Sequence, residues 1–251
     1  MEVFNPGQYN IGLVSNIQLG KLRNRVSFRS NAAGDSFENN SPAKLFNELE
    51  IKKMISQNPE LKKILSENKL PVRLNMDELM ELKSNHCKDT QEIAQSIVKN
   101  LPQALKQHVN IKNLKDGAIL HDFGKVLIPS EILNKNGALT EDEHKIMDLH
   151  TELGYQLLKN SGVNDEILKL VRYHHTEKHK DIIPDINLQI LNLADKYSAL
   201  TEKRVYKEAF SPQKALTIIY SDVKKGNIHP FLFNALVKAV QANEIPQKIS
   251  A

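Results

Sequence analysis

The amino-acid sequence predicts an all-α fold. From residue 42 onward, apolar residues recur three and four positions apart, as they do along the buried face of an amphipathic helix. No stretch alternates apolar and polar residues as a half-buried strand would, and no internal repeat is present. With no tryptophan and only 6% aromatic residues, aliphatic side chains must fill the core of this fold.

The chain divides into three predicted parts. Residues 1–41 are rich in Asn, Ser and Gly and show no periodicity, so we expect a disordered tail. Residues 42–80 predict a short helical N-terminal segment, which could be a cap, a partner-binding surface or part of a homodimer interface. Its expected inward-facing residues are Leu45, Leu49 and residues 51–54. Residues 81–245 predict the main domain.

Net charge, the length of apolar stretches and cysteine content exclude several classes of protein. The formal net charge is only +4 and no run of like charges suggests a nucleic-acid-binding arm. No stretch approaches the roughly 18 apolar residues of a membrane span, and the N-terminus does not resemble a secretory signal. A single cysteine, Cys87, rules out an internal disulfide and suits a reducing compartment. We therefore expect a cytoplasmic protein without membrane or nucleic-acid partners.

Five helices of the main domain carry polar groups on faces that are otherwise apolar. Their predicted limits are residues 84–99, 111–123 with Gly124 as the stop, a third helix from the capping box at Thr140, a fourth after the N-cap Asn164, and a fifth over 187–201. The inward polar groups are His86, His121 with Asp122, His150, His174 with His175, and Asp195. Burying each such group unpaired costs roughly 1–3 kcal/mol, so we expect them to converge on a divalent metal. Two further helices, near 211–224 and 229–241, are expected to be packing elements.

The residue types predict the kind of metal centre. Nitrogen and carboxylate ligands without thiolates suit Mn, Fe, Co, Ni or Zn, and Mg less well. Six or seven ligands are too many for one tetrahedral site and fit two ions bridged by a carboxylate, for which Asp122 is the natural candidate. Two ions about 3.5–4 Å apart suit phosphate-ester hydrolysis, because they activate a shared water as hydroxide. Lys125, one turn beyond Asp122, is predicted to contact a substrate phosphate.

The order of these motifs resembles the HD-domain metal-dependent phosphohydrolases, and among them the HD-GYP cyclic di-nucleotide phosphodiesterases. The resemblance covers residues 82–217. It rests on HDFGK (121–125), IPSEILNKNGALTEDEHKIMDLHTELG (128–154), the paired His174 and His175, and LNLADKYSALTEKRVYKEAFSP (191–212). The HD dipeptide alone is a weak signal, whereas these blocks in this order are a strong one.

The resemblance implies a helical HD-domain bundle that hydrolyses a cyclic di-nucleotide or another nucleotide, with roles assigned residue by residue. The implied metal ligands are His86, His121, Asp122, His150, His174, His175 and Asp195. Asp122 and Lys125 would be catalytic, and Lys125 and Arg204 would bind substrate phosphate.

The sequence departs from the HD-GYP pattern at two places. After His175 it reads TEKHKDIIPD (176–185), so the Gly-Tyr-Pro loop that shapes the cyclic di-GMP site is missing. His179, in this shortened loop, is expected to be a solvated histidine rather than part of the site. Members with three metals carry a glutamate one turn before the first histidine, where this chain has Leu82; Glu81 would lie about 100° round an α-helix. We therefore expect two metals.

Three interpretations are compatible with these patterns. The first is a metal-dependent phosphodiesterase, for which every ligand position is filled by a suitable residue type. The second is a non-catalytic HD signalling module that binds metal and nucleotide, which the missing loop favours. The third is a helical bundle whose polar core is purely structural.

Overall fold

The computed structural model describes residues 42–179, 181–203 and 208–245. Over these residues the chain is helical with turns and no strand, which confirms the predicted all-α fold. The predicted tail, residues 1–41, lies outside the described residues, and so does Arg204. Among the helices described, none combines the length and the apolar character required to cross a membrane.

The N-terminal segment contains two short helices that pack against the rest of the molecule. A 3-10 turn (Pro42–Leu45) leads to α1 (Glu48–Ser56) and α2 (Pro59–Glu67). The Asn58 side chain caps α2 by accepting from the Leu61 amide, and its Nδ2 donates to the Gln156 carbonyl of a later helix at 2.6 Å. This buried contact fixes the segment to the main domain.

Some of the predicted inward-facing residues of this segment are wrong, since Leu49, Lys52 and Lys53 are exposed. Leu49 is 74% exposed, whereas Ile51 and Ile55 are buried. Ile51 and Ile55 are four residues apart and define the buried face of α1, so a residue two positions before Ile51 points to solvent. Leu45 is buried as predicted, and Met54 is half-buried.

The first helix of the main domain begins earlier than predicted and contains an irregularity. Helix α3 (Met76–Leu82) continues through a π-helical turn (Lys83–Cys87) into α4 (Lys88–Lys99). A π turn rotates less per residue than an α-helix, so it changes which preceding residues share a face with His86. Glu81 and Leu82 both line the cleft beside His86. Glu81 and Leu82 both belong to α3, before the π turn, so the expectation of two metals stays a prediction.

The second helix ends three residues before its predicted limit. After a short α5 (Gln103–Lys106), α6 (Ile111–Leu120) gives way to a 3-10 turn (Phe123–Leu127). Gly124 lies inside that turn and does not cap the helix. A Cβ at Gly124 would stand 2.0 Å from the His150 carbonyl oxygen, so glycine permits the turn to contact the backbone of a neighbouring helix.

The remaining helices follow the predicted order. They are α7 (Ser130–Leu133), α8 (Glu141–Asp148), α9 (His150–Leu158), α10 (Asp165–Tyr173), α11 (Ile186–Thr201), α12 (Pro212–Lys224) and α13 (Pro230–Gln241), with a 3-10 turn (Thr176–Lys178) after α10. The capping box between Thr140 and Glu143 is present. The helix that it opens breaks at Leu149 and restarts at His150, which the sequence pattern did not indicate.

Two hydrophobic cores hold the helices together. The first lies among α4, α6, α11, α12 and α13 and includes Ile97, Leu114, Leu191 and Leu236. The second joins α1 and α2 to α9 and the Phe123–Leu127 turn, and includes Ile51, Leu61, Phe123 and Leu157. Helices α6 and α10 contribute to both cores, and each is followed directly by a predicted ligand. The predicted site therefore lies where the two cores meet.

Candidate metal centre

The seven predicted ligands lie close together in the structure. They come from the π turn, the C-terminal end of α6, the start of α9, the end of α10 and the middle of α11: His86, His121, Asp122, His150, His174, His175 and Asp195. All are buried except His175, which is half-buried. Groups of ligand atoms within 4.8 Å of one another are His86, His121 and Asp122; His121, His174 and Asp195; and His150, His174 and His175.

Three of the histidines are oriented by their own helices. The Nδ1 atoms of His121, His150 and His174 lie 2.7–2.9 Å from the carbonyl oxygen of the residue three positions earlier. A carbonyl can only accept, so each Nδ1 carries a proton and each Nε2 is directed at the centre, where it can offer a lone pair to a metal once any proton of its own has left. This arrangement is characteristic of metal-binding histidines, whose second nitrogen is fixed by a hydrogen bond outside the coordination sphere.

Asp122 stands between two sets of histidines. Its Oδ1 lies 3.4 Å from His150 Nε2. Its Oδ2 lies 3.4 Å from His121 Nε2 and 3.6 Å from His86 Nε2. The two oxygens of one carboxylate thus face different groups of nitrogens, which is the geometry required of a bridging ligand.

Asp195 approaches the centre from α11. Its Oδ1 lies 3.0 Å from His86 Nε2 and 3.7 Å from His121 Nε2. Its Oδ2 lies 4.0 Å from the Nδ1 of His175. The second carboxylate therefore borders three of the histidines.

Two features of the buried histidine nitrogens indicate that the cluster is suited to a cation. His121 Nε2 is buried and has no hydrogen-bond partner among the described residues. The Nε2 atoms of His150 and His174 lie 3.2 Å apart although both Nδ1 atoms already hold the ring protons. Buried polar atoms are nearly always paired in native proteins, and a divalent cation would satisfy these lone pairs together.

The backbone adds to this preference for positive charge. His121 and His174 are the C-cap residues of α6 and α10. The C-terminal end of a helix carries a partial negative charge from its unpaired carbonyls, which favours cations. Two helix ends and two carboxylates thus surround five imidazoles.

The histidines differ in pKa because burial and neighbouring charges act on them to different extents. Burial opposes protonation of His121, but the nearby carboxylates, Asp122 first, more than offset it and raise its pKa to about 10. Burial lowers the pKa of His150 to about 3 and holds the pKa of His174 well below its usual value. Burial also acts to raise the pKa of Asp122, but Lys125 and His121 outweigh it and hold the pKa well below its ordinary value. Both carboxylates are thus ionised at neutral pH, because the pKa of Asp195 is likewise held low by its histidine neighbours in spite of burial.

Lys125 lies at the edge of the cluster. Its Nζ is 2.7 Å from Asp122 Oδ2 and its side chain is 14% exposed. It faces an open cleft of about 420 Å³ whose lining includes Asp122, His150, Asp195 and Lys203. The ammonium thus pairs with the central carboxylate and at the same time borders the space that a substrate would occupy.

The shortened loop lies beside the cleft. Asn192 Nδ2 ties its start by donating to the His174 carbonyl at 2.8 Å and to Glu177 Oε2 at 3.1 Å. His179 packs edge-on against Tyr173, with ring centres 5.0 Å apart, and is not part of the cleft lining. The predicted phosphate contact of Arg204 falls outside the described residues.

Several residues of the site were not anticipated from the sequence. Ser198 and Glu202 contact His86, and Asn192 holds the loop. Ser198 and Glu202 follow Asp195 at three and seven positions, so helical spacing alone could have placed them on the ligand-bearing face. No comparable signal pointed to Asn192, whose contacts depend on the path of the loop.

The chain is similar in sequence to a known protein family and to several named proteins. Residues 84–200 match the family model described as HD domain. The chain is 34% identical over 124 residues to the cyclic di-GMP phosphodiesterase response regulator RpfG of Xanthomonas campestris pv. campestris, covering 44% of this chain and 32% of that protein. It is 36% identical over 155 residues to a cyclic di-GMP phosphodiesterase of Vibrio cholerae serotype O1, covering 53% and 31%. It is 27% identical over 165 residues to the 3′3′-cGAMP-specific phosphodiesterase 1 of the same organism, covering 62% and 37%.

These matches concern one part of each relative. The chain spans about a third of the length of these curated proteins. The matched region of this chain contains all seven clustered residues, from His86 to Asp195, together with Lys125. Residues 84–200 of this chain, which include the whole cluster, are therefore similar in sequence to HD domains.

Proposed function

We propose that this protein is a metal-dependent phosphodiesterase that hydrolyses a cyclic di-nucleotide in the cytoplasm. Relatives that share the HD region are named for cyclic di-GMP and for 3′3′-cGAMP, which supports this substrate class. The cleft beside the cluster offers space for part of such a ligand. Both substrates contain 3′,5′-phosphodiesters, so the same centre would serve either.

The position of Asp122 is the observation that carries this proposal. Its two oxygens face His150 on one side and His86 with His121 on the other, at 3.4–3.6 Å. A purely structural polar core would pair these groups with one another. Here His121 Nε2 is left without a hydrogen-bond partner in the described part of the chain, which favours ligation of cations over internal pairing.

We propose two divalent ions, Mn or Fe rather than Mg, with Asp122 as the shared ligand. His86, His121 and Asp195 would complete one site, and His150, His174 and His175 the other. Five nitrogen donors and two carboxylates without a thiolate suit these transition metals. When bound, such a pair supplies a water of lowered pKa and a clamp for phosphate oxygens.

The residues around the ions would position the substrate. Hydrolysis adds the oxygen of water to phosphorus, breaks one bond to a ribose oxygen and returns a proton to that oxygen. Lys125, at the border between Asp122 and the cleft, would offset the charge on the phosphate. Arg204 is proposed as a second phosphate contact on sequence grounds alone.

Metal analysis and substrate profiling test the proposal together. Purified protein reconstituted with Mn or Fe should hold close to two ions per chain. It should convert cyclic di-GMP or 3′3′-cGAMP to a linear di-nucleotide, detected by chromatography. Cyclic mononucleotides, 5′-nucleotides and a generic aryl phosphodiester complete the panel. Metal-loaded protein that turns over none of these compounds would refute the enzymatic assignment.

A non-catalytic signalling module is the second candidate. The shortened loop after His175 favours it, because the element that selects cyclic di-GMP in the resembled family is missing. A module would bind a cyclic di-nucleotide saturably and leave it intact. Calorimetric binding without product formation would distinguish it from the enzyme.

A further inference from the structure

We propose that Glu202 is a positioning residue that, together with Ser198, orients His86 toward the metal centre. The inference rests on the proposed function, since it concerns a ligand of the same centre. Among the described residues, His86 Nδ1 contacts two side chains: it lies 3.2 Å from Ser198 Oγ and 3.4 Å from Glu202 Oε2.

His86 differs in this respect from the other deeply buried histidines. His121, His150 and His174 each anchor Nδ1 to a carbonyl of their own helix. His86 lies within the π turn Lys83–Cys87, where the backbone follows a different geometry. Its ring lies against α11 and takes its orientation from that helix.

One face of α11 contacts both nitrogens of His86. Asp195 and Ser198 lie three positions apart on α11, and Glu202, the C-cap residue directly after the helix, follows Ser198 by four positions. Asp195 Oδ1 lies 3.0 Å from Nε2, while Ser198 and Glu202 face Nδ1. The ring is held between these contacts, which restricts its rotation about the bond to Cβ.

The carboxylate would fix the tautomer that metal binding requires. A carboxylate accepts a hydrogen bond from Nδ1–H, which leaves the Nε2 lone pair directed at Asp122 and Asp195. The Ser198 hydroxyl oxygen can accept from the same N–H. Glu202 is 15% exposed and borders the cleft, so its removal should leave the fold intact while loosening His86.

Metal affinity of matched variants tests this role. Glu202→Ala should bind Mn or Zn roughly 10–100-fold more weakly in competition with a chelator, as loss of an outer carboxylate does in other metal sites. Glu202→Gln should be intermediate, because its amide oxygen still accepts from Nδ1–H but carries no charge. Glu78→Ala is the control: it also removes a carboxylate from the cleft lining, but the Glu78 carboxylate accepts from Asn134 Nδ2 at 3.3 Å and has no ion pair with a histidine among the described residues.

A spectroscopic measurement separates orientation from general charge effects. In the Zn-loaded protein, the ¹⁵N signals of His86 should show Nε2 bound and Nδ1 protonated, and Glu202→Ala should broaden or shift them. Circular dichroism and the melting temperature of the metal-free variants check the fold. If Glu202→Ala does not fold, Glu202→Gln carries the same comparison.

The outcomes distinguish this inference from the proposed function. Wild-type affinity in Glu202→Ala, or an equal loss in Glu78→Ala, would overturn the role of Glu202 even if the protein hydrolyses its substrate. Metal-loaded wild-type protein without turnover would overturn the enzymatic function while the affinity comparison still decides the role of Glu202. Wild-type protein that binds no metal would overturn both.

Discussion

The Nε2 atoms of His150 and His174 face each other across 3.2 Å while both rings hold their proton on Nδ1. Burial keeps the pKa of His150 at about 3 and lowers that of His174, so both rings are neutral near pH 7. Two lone pairs directed at each other in a buried site repel. A cation shared by the two nitrogens removes that repulsion.

Metal binding should therefore stabilise the protein. At a free metal concentration of 100 times Kd, the free energy of unfolding should rise by about 2.7 kcal/mol. For a domain of this size, that corresponds to a rise in melting temperature of roughly 5–10 °C. Thermal scans with Mn and with a chelator check this, and His174→Ala should lose most of the shift. An identical melting temperature under both conditions would argue against a metal centre.

Replacing Asp122 should lower the metal content and the turnover together. Asp122→Ala removes the carboxylate that faces both histidine groups, so metal content should fall from two ions to none or one. Hydrolysis should drop at least about a thousandfold, as expected when electrostatic stabilisation of a transition state is lost. Asp116→Ala, on the preceding helix α6 and away from the cluster, is the matched control. Retention of both ions in Asp122→Ala would show that the bridge lies elsewhere.

Replacing Lys125 should separate catalysis from metal binding. Lys125→Ala keeps all seven proposed ligands, so the metal content should stay unchanged. Loss of a charged hydrogen bond to phosphate, worth about 1.5–3 kcal/mol, should lower kcat/KM roughly 10–150-fold. Lys145→Ala, an exposed lysine on α8, should behave as wild type. If Lys125→Ala instead loses metal, its pairing with Asp122 serves the metal site rather than the substrate.

A side chain at Gly124 should disrupt the centre through the backbone. The Cβ of Gly124→Ala would lie 2.0 Å from the His150 carbonyl oxygen and 2.4 Å from the Gly154 amide nitrogen. The turn carrying Asp122 must then move away from α9, which should cost at least about 1–3 kcal/mol of stability and weaken metal binding. Gly117→Ala is the comparison, since its Cβ meets the movable end of the Leu170 side chain. Chemical denaturation should show the larger loss for Gly124→Ala.

The N-terminal helices should contribute to the stability of the whole molecule. Leu61→Ala, at a fully buried position of the second core, should cost about 2–5 kcal/mol. Leu49→Ala, at a position that is 74% exposed, should change stability by less than about 0.5 kcal/mol. Both variants should unfold in one transition together with helices α3–α13. A separate early transition in Leu61→Ala would indicate that residues 42–80 unfold independently.

The helical faces and the ligand-bearing positions could be predicted because helical periodicity is local. His86, Asp122 and Asp195 each continue an apolar stripe, and the structure buries all three. Capping residues such as Thr140 and Asn164 located helix starts correctly for the same reason. The metal-binding roles of His86, Asp122 and Asp195 stay predictions.

Features that depend on distant contacts could not be predicted. The π turn at Lys83–Cys87 was not indicated by the sequence pattern, although it changes which residues of α3 share a face with His86. The close approach of Gly124 to His150 joins elements that are remote in the pattern of helices. Leu49 was misplaced because a short helix offers two possible apolar faces, and only packing against α9 selects one.

The two hydrophobic cores set a lower limit on the fragment that can fold. The family match ends at residue 200, but the first core takes Leu216, Leu236 and Ile245 from beyond it. The second core takes Ile51 and Leu61 from before residue 84. A recombinant fragment restricted to residues 84–200 would expose to water the side chains that pack against these residues. Each Å² of apolar surface exposed in this way costs about 25 cal/mol of folding free energy. Expression of this domain should therefore start no later than residue 42 and end no earlier than residue 245.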